Sequence, residues 1–120
     1  MKLKTFLLGL TLLFFGITQA QIERVEPPMW WAGMKNPNVQ LMIYGENVGN
    51  LNPRIDYEGV RIEKVIKVES PNYLFIDLNI AAAKPGQFKI VFSDKNQTAR
   101  FYEYELLERV EGASERKGFD

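Results

Sequence analysis

Apolar and polar residues alternate through four segments of the chain, which is the pattern of a β-strand with one buried face. The segments are residues 39–44, 73–80, 88–92 and 101–107. The residues predicted to face the core are Val39, Leu41, Ile43, Leu74, Ile76, Leu78, Ile80, Phe88, Ile90, Phe92, Tyr102, Tyr104 and Leu106. In the last segment charged residues occupy the opposite face, which is therefore expected to lie in water. For the two tyrosines, an exposed aromatic platform is the alternative to a place in the core.

A fifth strand is predicted over residues 60–69, although its alternation is disturbed. Lys64 falls where an apolar residue is expected. A β-bulge, or a position at the edge of a sheet, would explain this disturbance.

The remaining predicted strands are short and are bounded by proline. Residues 22–26 form one, ended by Pro27-Pro28, and residues 54–57 form another, entered through Asn52-Pro53. Turn-forming Gly, Pro, Asn and Asp residues separate the strands along the chain. Only residues 81–84 look helical, for about one turn.

Seven to eight short strands without a crossover helix predict an all-β fold of two packed antiparallel sheets. An immunoglobulin-like antiparallel β-sandwich fits best, because Gly86 to Ile90 follow a short helical turn as the sixth strand of such domains does. Phe88 and Ile90 stand where immunoglobulins have tyrosine and cysteine. We therefore expect apolar packing in place of the disulfide, and no tyrosine corner of the kind that a tyrosine at position 88 would form.

Both ends of the chain differ from the strand-forming middle. Residues 1–20 carry Lys2 and Lys4, then an apolar run over residues 6–17, then small residues up to Ala20, as a secretory signal peptide does. That run is shorter than the about 20 residues of a membrane span, and a buried helix is the alternative reading. We expect export, most naturally to the periplasm, with no membrane anchor after cleavage. Residues 21–110 are expected to form the sandwich and the charged residues 111–120 a linker within a longer protein.

The composition excludes most chemistry. The chain has no histidine and no cysteine, so it lacks the usual nucleophile pairs and zinc ligands. Without Lys2 and Lys4, thirteen basic residues face fifteen acidic ones, a net charge of −2 that does not favour a nucleic-acid partner. The carboxylates Asp56, Asp77 and Asp94 fall at strand edges and turns, where turn chemistry explains them better than a glycosidase pair. We expect no catalytic residue, metal or cofactor in this chain.

Trp30 and Trp31 are the candidate contact residues. Adjacent residues of a strand point to opposite faces, so at most one of the two enters the core if the segment is extended. One interpretation packs one tryptophan in the core and the other against a neighbouring loop or domain. The alternative is that a tryptophan stacks on a sugar ring.

The segment VEPPMWWAGMKNP, residues 25–37, together with residues 41–45, 71–77 and 84–86, resembles the N-terminal domain of bacterial cyclomaltodextrinases and neopullulanases. These are α-amylase-family enzymes of glycoside hydrolase family 13. The resemblance implies an immunoglobulin-like sandwich set before a catalytic barrel that hydrolyses α-glucans, cyclodextrins included. The family's catalytic carboxylates belong to that barrel, so none carries over to this chain. What the resemblance implies is packing on the protein's own C-terminal barrel, shaping of substrate access and, in some relatives, a homodimer.

Three functions remain open at this point. The first is the accessory sandwich of an exported α-glucan hydrolase. The second is a free-standing exported module that binds glucans through Trp30 or Trp31. The third is a purely structural sandwich in a surface assembly.

Overall fold

The computed structural model describes residues 21–110, which form eight strands and one short 3-10 helix. The predicted signal peptide and linker, residues 1–20 and 111–120, lie outside the described residues. The strands are β1 (Arg24–Glu26), β2 (Trp30–Trp31), β3 (Asn38–Tyr44), β4 (Asn52–Ile55), β5 (Arg61–Lys67), β6 (Tyr73–Asn79), β7 (Gly86–Ser93) and β8 (Ala99–Leu107). The 3-10 helix is Val48–Asn50 and joins β3 to β4.

The strands form two four-stranded sheets. Sheet A has the order β1-β3-β6-β5, and sheet B has the order β2-β8-β7-β4. This is the strand arrangement of immunoglobulin-like domains, with the chain leaving one sheet for the other between its first two strands. That change of sheet occurs at Pro27-Pro28, where the Glu26–Pro27 peptide bond is cis. The prediction of an all-β sandwich is confirmed, and one pairing differs from the expected antiparallel set, since β2 runs parallel to β8.

The core lies between the two sheets and contains the residues that the alternation predicted, together with Val25, Ala32, Val48, Leu51 and Val60. Sheet A supplies aliphatic side chains and sheet B mainly aromatic ones. The buried side chains of sheet A are Val25, Val39, Leu41, Ile43, Leu74, Ile76 and Leu78. Those of sheet B are Phe88, Ile90, Phe92, Tyr104 and Leu106. Tyr102 is partly buried and packs against this cluster. Both tyrosines therefore contribute to the core.

Strand β5 contains the predicted irregularity. Ile62 pairs with Leu78 and Lys64 pairs with Asp77, so Glu63 is an extra residue without a partner on β6. The strand also lies at the edge of sheet A. The disturbed alternation therefore reflects both a β-bulge and an edge position.

Strand β4 begins two residues earlier than predicted and includes Pro53. Proline cannot donate a ladder hydrogen bond, but β4 is an edge strand of sheet B, where one side needs no donor.

The corner before β7 corrects one prediction. Residues 81–84 do not form a helix, and the turn at Ala81-Ala82 is closed by the Ala83 N–H donating to Ile80 O at 3.1 Å. The Tyr57 hydroxyl also holds this corner, since it lies 2.9 Å from Lys84 O and 3.2 Å from Pro85 O. The Tyr57 ring also stacks on Phe88, with the ring centroids 4.9 Å apart. No local sequence pattern predicts these contacts, because Tyr57 and β7 are distant from each other in the sequence.

Candidate functional site

The two tryptophans lie on β2, at the edge of sheet B. Trp30 is opposite Leu106 and Trp31 opposite Leu107 of β8, and the Ala32 N–H donates to Leu107 O at 3.0 Å. Their rings meet edge to face, with centroids 5.6 Å apart. Both side chains are partly buried, and Trp30 is the one that packs against the core.

Trp30 and Tyr104 both bring a polar group to this edge of the core, with different results. The indole N–H of Trp30 is buried and has no acceptor within residues 21–110. The Tyr104 hydroxyl donates to Pro27 O at 2.9 Å, and so joins β8 to the segment between β1 and β2. Burial raises the pKa of this hydroxyl above its ordinary value, and nearby Tyr102 adds to the effect.

Two neighbouring clefts lie at the start of β3. The first, of about 240 Å³, is lined by Trp30, Met34, Lys35, Asn36 and Asn38. The second, of about 500 Å³, is lined by Asn38, Val39, Gln40, Glu63, Lys64 and Asp77. Asn38 belongs to both. We call the two clefts together the polar groove.

Hydrogen bonds hold several side chains of the polar groove in place. The Asn36 carboxamide oxygen accepts the Asn38 backbone N–H at 3.0 Å and the Asn38 side-chain NH₂ at 3.2 Å. The Gln40 side-chain NH₂ donates to the Asp77 carboxylate at 2.9 Å, across the β3–β6 pair. The groove therefore presents amide and carboxylate groups in fixed positions.

The outer face of sheet A is divided into a polar half and an apolar half. The polar half holds the cross-strand row Gln40, Asp77 and Lys64. In the apolar half, which we call the apolar patch, the outward residues are Met42, Tyr44, Ile66, Tyr73 and Phe75. All five side chains are partly buried.

Aromatic contacts order the apolar patch. The Tyr44 and Tyr73 rings lie 5.0 Å apart, and the Arg24 guanidinium lies 5.0 Å from the Tyr44 ring. Phe75 stands between Met42 on β3 and Ile66 on β5. The sequence analysis did not single out these residues. A signal was present, because residues 41–44 and 73–76 are apolar in both phases of the alternation.

The three carboxylates considered in the sequence analysis have different structural positions. Asp94 accepts the backbone N–H groups of Asn96 and Thr98, each at 2.9 Å, and so builds the turn between β7 and β8. Asp77 lies in the polar groove, and Asp56 follows β4 in a loop. Within residues 21–110, no three His, Cys, Asp or Glu side chains come together as a metal site would require. In the same part of the chain, no helix is long and apolar enough to cross a membrane.

The fold is a β-sandwich with an immunoglobulin-like strand order, one apolar outer patch and a polar groove beside it. Residues 24–110 match the family described as cyclomaltodextrinase, N-terminal. The match spans most of the chain, and the chain belongs to this family. The resemblance that the sequence analysis described is confirmed, and with it the place of the chain among the accessory domains of glycoside hydrolases.

Proposed function

We propose that this chain is the N-terminal accessory sandwich of an exported α-glucan hydrolase of the cyclomaltodextrinase type, and that it packs on the catalytic barrel of that enzyme. The observation that carries the proposal is the apolar patch on the outer face of sheet A. Family membership supplies the kind of partner, because N-terminal domains of this family belong to glycoside hydrolases.

The apolar patch has the composition of an interface centre. An antiparallel sheet with one face in water alternates apolar and polar residues. Met42, Tyr44 and Phe75 occupy outward positions at which polar residues are expected. Aromatic residues and methionine are enriched at interface centres, with charged residues at the rim. Arg24 and Glu26 of β1 provide such a rim, and both are exposed.

A charge placed in the patch tests the packing. In the protein encoded by the complete gene, Phe75→Asp is expected to detach the sandwich from the barrel and to separate one thermal unfolding transition into two. The matched control is Phe101→Asp, because Phe101 lies on the outer face of sheet B and is already 58 % exposed. We expect this control to leave unfolding unchanged.

Two outcomes would overturn the packing proposal. One is a single unfolding transition that Phe75→Asp does not alter. The other is a gene that encodes no barrel after Asp120. If sedimentation shows that Phe75→Asp converts a dimer to a monomer while the two domains stay docked, the patch is a contact between two copies instead.

Export is the second part of the proposal and depends on residues 1–20. The basic start, the apolar run and the small residues before Gln21 support cleavage after Ala20. N-terminal sequencing of the protein recovered from the periplasmic fraction is expected to begin at Gln21. Recovery of an uncleaved chain from the cytoplasmic fraction would contradict export.

A further inference from the structure

We propose that Gln21 is a modification site, at which the mature chain closes its N-terminal glutamine into a pyroglutamyl lactam. The inference rests on the export part of the proposed function, because cleavage after Ala20 makes Gln21 the first residue. Its structural basis is that the fold holds the backbone of Gln21 in place and leaves the residue exposed.

The hydrogen bonds between β1 and β3 continue past the start of β1 as far as Gln21. The Glu23 N–H donates to Tyr44 O at 2.9 Å, and the Gln21 N–H donates to Glu46 O at 3.2 Å. Donors and acceptors both advance by two residues, as in an antiparallel ladder. The Gln21 nitrogen is therefore held at a defined place beside the loop that follows β3.

Close packing also holds this end of the chain. Gly45 is buried, and a Cβ atom at Gly45 would overlap the Gln21 carbonyl oxygen. The next residue, Ile22, is partly buried and packs against the core. With cleavage after Ala20, the first residue of the mature chain is thus already part of the fold.

The reaction needs only the atoms of Gln21. The α-amine in its neutral form, which such groups reach near neutral pH, attacks the side-chain carboxamide carbon Cδ. The new N–Cδ bond closes a five-membered ring, and the bond from Cδ to the side-chain nitrogen breaks. One proton of the α-amine leaves with that nitrogen, as ammonia. Because residue 21 is exposed, its side chain can turn back onto its own nitrogen without displacing a neighbour.

The lactam fits the hydrogen bond that the fold provides. An open N-terminal glutamine would place a charged ammonium group beside Glu46 O. The lactam nitrogen is an amide nitrogen with one hydrogen, so it can donate to Glu46 O as the Gln21 N–H does in this structure. Cyclisation removes the terminal positive charge, as N-terminal acetylation does. The ladder keeps its last donor, and the exported chain offers no free amine to an aminopeptidase.

Mass spectrometry of the N-terminal tryptic peptide, residues 21–24, tests the modification. The sample is the protein encoded by the complete gene and recovered from the periplasmic fraction. We expect the peptide to be lighter than its open form by one molecule of ammonia. An isotope-labelled synthetic peptide of the same sequence, added before digestion, measures any cyclisation caused by handling. Mass spectrometry also reads a terminus that a lactam closes to stepwise chemical sequencing.

Gln21→Asn is the matched control, because asparagine keeps the carboxamide and is one methylene too short to close the five-membered ring. Its N-terminal peptide should keep its ammonia. ¹⁵N NMR of the exported chain provides the structural measurement. We expect an amide signal from residue 21 in the wild type, with hydrogen exchange slowed by the bond to Glu46 O, and no such signal in Gln21→Asn.

The outcomes separate this inference from the proposed export. A chain that begins at Gln21 and keeps its ammonia overturns the modification and leaves export intact. An uncleaved chain, or a terminus at another residue, overturns both the modification and cleavage after Ala20. A lactam N–H that exchanges as fast as an unbonded amide overturns the hydrogen bond to Glu46 O. None of these results bears on the Phe75→Asp experiment, because Gln21 is not part of the apolar patch.

Discussion

The two sheets of this sandwich have different outer faces and different inner faces. Sheet A combines an aliphatic inner side with an outer side that is half apolar. Sheet B combines an aromatic inner side with a charged outer side, on which Lys89 stands opposite Glu103 and Gln87 opposite Glu105. The proposed packing on a partner therefore uses sheet A, whose outer face is the more apolar of the two.

The isolated exposed aromatic of sheet B makes the contrast clear. Phe101 is 58 % exposed, and the Lys89 ammonium lies 4.5 Å from its ring. A single exposed apolar residue is common on protein surfaces and needs no partner. On sheet A, Phe75 lies in a continuous row with Met42 and Ile66, and this contiguous group is the basis of the proposed packing.

The largest expected difference in unfolding free energy is between substitutions on the inner face and on the outer face of sheet A. Ile76 is fully buried in the core, while its neighbour Phe75 lies in the apolar patch. We expect Ile76→Ala to cost about 2–5 kcal/mol of unfolding free energy, since it leaves a cavity. Phe75→Ala should cost about 1 kcal/mol in this chain on its own, as the loss of cross-strand pairs does. Urea denaturation of both variants measures the difference, and equal costs would mean that the patch belongs to the core.

The next effect concerns the inner side of sheet B. Tyr104→Phe removes the hydroxyl that donates to Pro27 O, and we expect a loss of about 1–2 kcal/mol because that carbonyl is left without a partner.

The same hydroxyl should make stability depend on pH. Burial raises the pKa of Tyr104, so the folded state keeps its proton where the unfolded chain loses it. Stability is therefore fully present below about pH 10 and falls above it, by at most about 1.4 kcal/mol per pH unit. Chemical denaturation at several alkaline pH values should show this fall in the wild type, and a smaller one in Tyr104→Phe. An identical fall in both would assign it to other groups.

A smaller effect is expected at the corner before β7. Tyr57→Phe keeps the ring on Phe88 and removes the hydroxyl that contacts Lys84 O and Pro85 O. We expect a loss of about 1 kcal/mol, since this bond is exposed in part to water. Hydrogen exchange of the amides at the start of β7 should become faster. Unchanged exchange would show that the stacked ring alone holds the corner.

The smallest effect belongs to the outer side of sheet B. Phe101→Ala removes an exposed ring and its contact with Lys89, and we expect a change within about 0.5 kcal/mol. Thermal unfolding measures it. A loss as large as that of Phe75→Ala would remove the contrast between the two outer faces.

Much of the fold followed from local pattern. The alternation gave the inward residues of β3, β6, β7 and β8 correctly, because a face that packs on another sheet must be apolar at every second position. The irregularity of β5 was predicted at Lys64 and lies at Glu63, one residue away. Such features are encoded by residues close to each other in the chain.

What the sequence did not show depends on residues distant in the chain. The parallel pairing of β2 with β8 and the Tyr57 hydroxyl at the β7 corner join segments that carry no shared local signal. For the candidate tryptophans an extended segment was only a condition of the argument, and their position next to Leu106 and Leu107 required the topology. The apolar patch was not predicted for another reason, because the alternation identifies only the residues that face inward.

The pairing of β2 with β8 also sets the order in which the fold can be completed. The Tyr104–Pro27 hydrogen bond joins residues 77 positions apart, so it cannot form until nearly the whole domain has left the ribosome. Until then the hairpin-like contacts of sheet A can assemble, but Trp30 and Trp31 have no strand to pair with. Long-range closure of this kind slows folding and lengthens the time for which apolar residues are exposed. The last strand to be synthesised is therefore also the one that completes sheet B around β2.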